Sequence, residues 1–154
     1  MGLTTFFSPA FRDNELLPVR FAQEGAGISP SLRWQRVPAG RPYLTIVVTV
    51  LGAPQTEVRW LLYDVLDFTG PIREGMVPLS GQVGLNGQGS AAWWPPDALQ
   101  QRTLVFDLYA SNQAINSDCP LSWHDVQVAQ ANHNVSGPFS FQTHYPAVPK
   151  GTVQ

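Results

Sequence analysis

Residues 84–110 constrain the fold more than any other stretch, because they force three backbone shapes in succession. Gly-Leu-Asn-Gly-Gln-Gly at 84–89 reads as a turn, with Asn86-Gly87 expected to supply the positive φ values that tight turns need. After Trp93-Trp94, Pro95-Pro96 fixes a stiff extended corner that cannot sit inside a central strand. From Arg102 the pattern becomes period two. Arg102, Leu104, Phe106 and Leu108 take one face, and Thr103, Val105, Asp107 and Tyr109 the other. A rigid loop carrying two tryptophans therefore feeds a buried strand whose first inward position is an arginine, the form of a pocket wall.

The same punctuation runs through the whole chain. Fourteen prolines and 13 glycines in 154 residues favour many short strands over long helices. Val19 and Phe21 alternate as one expected strand, Leu32 and Trp34 as another, and the β-branched run Tyr43–Val50 as a central one. Val58–Val65 is a further strand, with Arg59, Leu61, Tyr63 and Val65 on one face, and residues 70–81 are loop. Ser122 followed by Asp125 is a capping-box pattern that predicts a helix running to about Asn132–Asn134 and ending before Gly137-Pro138. Phe139, Phe141 and Thr143 form a last strand, and residues 146–154 a tail. With no repeat, linker or low-complexity tract, a single domain over residues 1–154 is expected.

Composition excludes several functions. A net charge of −2 with 13% charged residues makes neither nucleic acid nor an anionic membrane an expected partner. Met1–Ser8 lacks a basic segment followed by a long apolar core, and no apolar run could span a bilayer, so a cytoplasmic location without integral membrane association is expected. Asn134-Val135-Ser136 then reads as a chance glycosylation match. Cys119 stands alone, which excludes an internal disulfide. Lys150 is the single lysine and lies in the tail, which argues against Schiff-base catalysis.

The opening segment carries a family pattern: Phe-Ser-Pro-Ala-Phe at 7–11, Asp13-Asn14, Leu17-Pro18, Phe21, Glu24-Gly25, Gly27 to Leu32, Arg33-Trp34 and Val37 to Gly40. It resembles the start of the phosphatidylethanolamine-binding protein family, which includes the Raf kinase inhibitor-like proteins. The likeness continues through Ala53-Pro54, Arg59-Trp60, Gly84–Asn86, Pro95-Pro96 and Phe106–Ala110 to Gly137. It implies a mainly β fold of two packed antiparallel sheets with a few short helices, one near the C-terminus, and an anion-binding pocket at one end.

The departures from that pattern bear on function. Where the family reads Asp-Pro-Asp-Ala-Pro, this chain has Val50, Leu51, Gly52, Ala53 and Pro54. The family's His-Trp is Arg59-Trp60, its Gly-Pro-x-Pro-Pro loop is residues 92–96, and its His-Arg-Tyr is Arg102-Thr103-Leu104. Two carboxylates and two histidines are thus exchanged for two guanidiniums and neutral residues. Each guanidinium can hold a carboxylate through two parallel hydrogen bonds. The expected pocket binds an acidic, partly apolar small molecule through Arg59, Arg102, Trp93, Trp94, Tyr63, Val50, Gly52, Pro95 and Leu104.

For chemistry, Arg59 and Arg102 would stabilise a carboxylate or enolate, and His124, beside Asp125 at the helix start, would act as acid–base group. His124, His133 and His144 match no metal-ligand spacing, and no Ser/His/Asp constellation emerges. Neither a metal nor a cofactor is expected. Three functions follow. The first is a cofactor-free enzyme or accessory in natural-product biosynthesis, performing maleidride-type cyclisation or dimerisation alone, as a homodimer or with a partner enzyme. The others are a non-catalytic carrier of an acidic metabolite and a regulator like the kinase-inhibitory branch.

Overall fold

In the computed structural model, which describes residues 3–147, the chain lays down eight strands among those residues. They are β1 (Thr5–Phe7), β2 (Glu15–Leu16), β3 (Arg33–Gln35), β4 (Tyr43–Val50), β5 (Val58–Leu66), β6 (Gln82–Val83), β7 (Arg102–Ser111) and β8 (Val135–Tyr145). One helix, α1 (Trp123–Ala129), and two 3-10 turns, Val19–Phe21 and Asp67–Thr69, complete the described elements. Lys150 and the tail from residue 148 lie outside the described residues.

Six strands form one sheet in the order β2-β8-β7-β4-β5-β6, and β1 pairs with β3 in a second, two-stranded sheet. All pairs are antiparallel except the short β2–β8 pair, which is parallel. The large sheet is covered on both faces, which is why β4 and β5 read as nearly continuous apolar runs. On one face Leu44, Ile46, Val48, Leu62, Phe106 and Leu108 pack with Phe6, Phe11, Leu17, Phe21 and Leu32 from the N-terminal segments. On the other, Val47, Leu61 and Tyr63 pack beneath Val126 of α1 and the flanking Leu121 and Trp123. The N-terminal residues that carry the family pattern are thus a lid over the sheet.

Two bulges in β5 break the expected alternation. Val48 pairs with Trp60 and Thr49 with Val58, so Arg59 is an extra residue between them. Leu44 pairs with Val65 and Ile46 with Leu62, leaving a second excess at Tyr63–Asp64, where Asp64 has φ 57°. Bulges re-aim side chains. Val65 consequently joins the Leu62 face and not the Leu61/Tyr63 face the sequence expects. The Asp64 carboxylate accepts the amides of Ile115 and Asn116, each at 2.8 Å, and so pins the loop before α1.

Three local expectations are corrected. Val19–Phe21 is a 3-10 turn, not a strand, because Phe21 N–H returns to the Pro18 carbonyl at 3.1 Å and Ala22 N–H to Val19 at 3.0 Å. Three alternating residues cannot distinguish the two. The capped helix starts as expected, with Ser122 Oγ accepting from Asp125 N–H, yet it stops at Ala129, since the chain must reverse for Val135 to pair with Ser111. Strand β8 accordingly starts earlier than expected and runs through Gly137-Pro138. At Gly84–Gly89 the positive φ belongs to Gly89 (80°), not to Asn86-Gly87. Asn86 builds that turn with its side chain, accepting from Gln88 and Ser90 N–H and donating to the Ala92 carbonyl. Gly84 lets the turn lie on β5, because a Cβ there would fall 2.6 Å from Leu61 Cδ2.

Candidate functional site

Where β4 ends and β7 begins, the sheet opens into a cavity of about 370 Å³ walled by the turn Val50–Pro54, Glu57 and residues Gln100–Thr103. Gly52, at φ 76°, supplies the left-handed backbone of that turn. Of the expected site residues, Val50, Gly52 and Arg102 line the cavity.

Arg59 does not line it. Its side chain is 2% exposed and fully engaged. Nε and Nη2 both donate to Glu57 Oε2, at 2.9 and 2.6 Å, and Nη1 donates to the Pro95 carbonyl at 3.2 Å. The guanidinium carbon lies 3.9 Å from the centre of the Trp94 ring, within cation–π range. The Arg59 carbonyl also accepts from Trp94 N–H at 2.8 Å, so the bulge and the tryptophan loop are tied together twice. Burial lowers the Arg59 pKa from its usual value, while the bonded Glu57 opposes that shift.

Arg102 is held far more loosely. Its Nε lies 3.8 Å from Glu57 Oε2 and its Nη1 3.6 Å from Asp97 Oδ1, with Gln100 accepting at 3.2 and 3.4 Å. Two arginines and two carboxylates, Glu57 and Asp97, bring the local formal charge to zero, where the sequence reading counts two unopposed cations. Glu57 sits between the guanidiniums, its Oε2 2.6 Å from Arg59 Nη2 and 3.8 Å from Arg102 Nε. No regular period in the sequence points to it, because Glu57 precedes β5 and Arg59 is the bulged residue.

The remaining expected residues are placed elsewhere. Trp93, 9% exposed, belongs to the core, edge-on to Trp60 at 5.7 Å with its indole N–H on the Phe21 carbonyl at 2.9 Å. Leu104 is fully buried in the same core. Tyr63 lies beneath α1, its hydroxyl 2.6 Å from Ser117 Oγ and accepting from Leu121 N–H. Pro95 contributes a carbonyl to Arg59 and to Gln23. Trp94 lines a neighbouring hollow of about 360 Å³ that shares Ala53, Pro54 and Glu57 with the cavity. His124, exposed on α1, faces a separate groove with Thr56, Asn86 and Gln127. It shares no wall with Arg102.

Tyr145 pairs with Arg102 across β7 and β8, and its hydroxyl donates to Glu24 at 2.7 Å. Burial, reinforced by that bond, pushes its pKa up to about 12. A phenol whose folded pKa is raised stabilises the fold fully below its unfolded pKa of about 10 and loses that contribution as pH rises toward the folded value. Unfolding midpoints measured from pH 9 to 12 should therefore fall less steeply for Tyr145→Phe than for the wild type.

Among the described residues, no group of three or more His, Cys, Asp or Glu side chains could hold a metal ion, and no helix is long and apolar enough to cross a membrane. Comparison with known proteins gives concordant matches. The profile described as phosphatidylethanolamine-binding protein covers residues 7–143. A putative lipoprotein, LppC, of Mycobacterium tuberculosis is 30% identical over 82% of this chain, which spans only 64% of that protein's length. A UPF0098 protein of Methanothermobacter thermautotrophicus is 26% identical over 80% of this chain and 87% of its own. Among solved structures, a putative phosphatidylethanolamine-binding protein homologue from Chlamydia trachomatis superposes with a TM-score of 0.86 at 20% identity, covering 94% of this chain and 98% of that one. YbcL of E. coli gives 0.78 at 19% identity, covering 94% and 99%. At these identities the structures establish the fold, and the profile, spanning nearly all of the sheet and its lid, establishes that this chain belongs to the phosphatidylethanolamine-binding protein family.

Proposed function

We propose that the cavity between Val50–Pro54 and Gln100–Thr103 binds an acidic small molecule, with Arg102 as its anchor. The observation that carries this reading is the contrast between the two arginines. Arg59 has short partners for its donors, whereas the ionic partners of Arg102 stand at 3.6 and 3.8 Å. A carboxylate entering the cavity can approach Arg102 to hydrogen-bond distance without breaking a short contact. Glu57 stays with Arg59, so ligand charge is added to one cation and not shared between two.

That geometry supports binding better than it supports maleidride-type cyclisation or dimerisation, which was expected to draw on both guanidiniums. The carrier and enzyme readings share the same anchor. A surface role is favoured by a different observation: Phe68, Met76, Val77 and Leu79 are each more than half exposed on one loop region.

The test is thermal stabilisation by small mono- and dicarboxylates, phosphate and phosphoethanolamine. A ligand at 100 times its Kd stabilises the native state by about 2.7 kcal/mol. Carboxylates should raise Tm of the wild type, and Arg102→Ala should abolish the rise while leaving ligand-free Tm nearly unchanged. Equal stabilisation of Arg102→Ala would sink the assignment.

A further inference from the structure

Thr103, on the cavity wall, is hydrogen-bonded to a histidine that no expected role absorbs. Its Oγ lies 2.8 Å from Nδ1 of His144, the residue opposite it on β8. The other ring nitrogen, Nε2, lies 2.7 Å from Asn14 Oδ1. That oxygen also accepts Gln142 Nε2–H at 2.8 Å. An amide oxygen only accepts, so the imidazole proton resides on Nε2. Nδ1 is left with its lone pair, and the Thr103 hydroxyl donates to it. Asn14 is held for this purpose in the left-handed region (φ 67°), its N–H on the Gln142 carbonyl at 2.7 Å.

Three side chains from separate stretches thus stand in the order hydroxyl, imidazole, orienting amide, the arrangement that activates a hydroxyl nucleophile. An ordinary cross-strand Thr–His contact needs no third residue to choose the tautomer. Thr103 is also one of the residues lining the cavity whose single cation among the described residues is Arg102. In the turn that walls this cavity, the amides of Gly52 and Ala53 have no protein partner among the described residues and are free to receive an oxyanion.

We propose that Thr103 is an acyl-accepting nucleophile, with His144 as its general base, for carboxylic esters that carry a second, free carboxylate. The carboxylate specificity rests on the Arg102 reading above; the nucleophile does not. Thr103 Oγ bonds to the ester carbon as its proton passes to His144 Nδ1. The bond to the leaving oxygen then breaks, and that oxygen takes the proton. Water completes the cycle: its oxygen joins the acyl carbon, one proton goes to Nδ1, and that proton returns to Thr103 Oγ as the acid departs.

The experiment follows nitrophenolate release from mono-4-nitrophenyl succinate and from 4-nitrophenyl acetate, and maps covalent capture by a fluorophosphonate probe with peptide mass spectrometry. Wild type should turn over both esters and be labelled at Thr103. Thr103→Val and His144→Gln should each lose about a hundredfold in rate, and Thr103→Ser should retain turnover. Asn14 acts as a positioning residue: Asn14→Gly, which suits the positive φ, should slow both reactions, and Asn14→Asp, which keeps an acceptor, should restore them. Turnover and Thr103 labelling without preference for the succinate ester would support the nucleophile and remove the Arg102 specificity. Thr103→Val that folds, by its Tm, and hydrolyses like wild type would overturn the proposal, as would labelling confined to another residue.

Discussion

Replacing Arg59 by alanine is expected to lower the unfolding free energy by about 3–5 kcal/mol, the usual cost of removing one member of a buried ion pair. For a chain of this length that corresponds to a fall in Tm of about 10 °C. The guanidinium is 2% exposed and satisfies Glu57, the Pro95 carbonyl and the Trp94 ring together. Its removal leaves a carboxylate facing Arg102 alone and a void under the tryptophan loop. Arg59→Lys keeps the charge but loses the fork and the flat stacking surface, so it should fall between wild type and alanine. Arg102→Ala, with contacts no shorter than 3.2 Å, should cost less than about 1 kcal/mol. Urea unfolding of the three variants measures this ordering directly. An Arg59→Ala protein as stable as Arg102→Ala would mean that the bulge, and not the ion cluster, holds the loop.

The two arginines show what the sequence can and cannot convey about a site. Both stand out as departures from a family pattern, and Val50–Pro54 and Arg102 line one cavity that Arg59 does not reach. Their division of labour was not legible. Arg59 is a bulged residue, and a period-two reading of Val58–Val65 has no means of detecting an inserted register shift. With the shift, Arg59 is clamped by Glu57, a residue outside every family motif and therefore overlooked. Strand β4 has the bounds its sequence implies, Tyr43–Val50, because a β-branched run covered on both faces has few alternatives. Three residues at Val19–Phe21 carry too little pattern to separate a strand from a 3-10 turn, and strand pairing, not a capping residue, decides the end of α1. The Thr103–His144–Asn14 chain joins residues 41 and 130 positions apart, so local spacing holds no trace of it.

Trp93→Ala separates the two roles open to the tryptophan pair. Were Trp93 a wall for ligand, its loss would weaken anion binding and leave the fold intact. The structure places the indole between Trp60 and Phe106, at centroid distances of 5.7 and 6.4 Å, with its N–H on a backbone carbonyl of the lid. Truncating a buried aromatic of this size costs about 3–5 kcal/mol through lost contacts and the cavity left behind. The Phe21 carbonyl loses its donor as well. Trp93→Phe should recover most of the packing and retain a deficit of about 1 kcal/mol for the missing hydrogen bond. Carboxylate stabilisation, read as the rise in Tm above each variant's own ligand-free value, should remain in both, because Trp93 borders neither the cavity nor the Trp94 hollow. Loss of that rise with an unchanged ligand-free Tm would restore Trp93 to the ligand site and require the loop to open on binding. The predicted pattern instead makes Trp93 the bolt between lid and sheet, which leaves Trp94 and Arg59 to set the position of Glu57 beside Arg102.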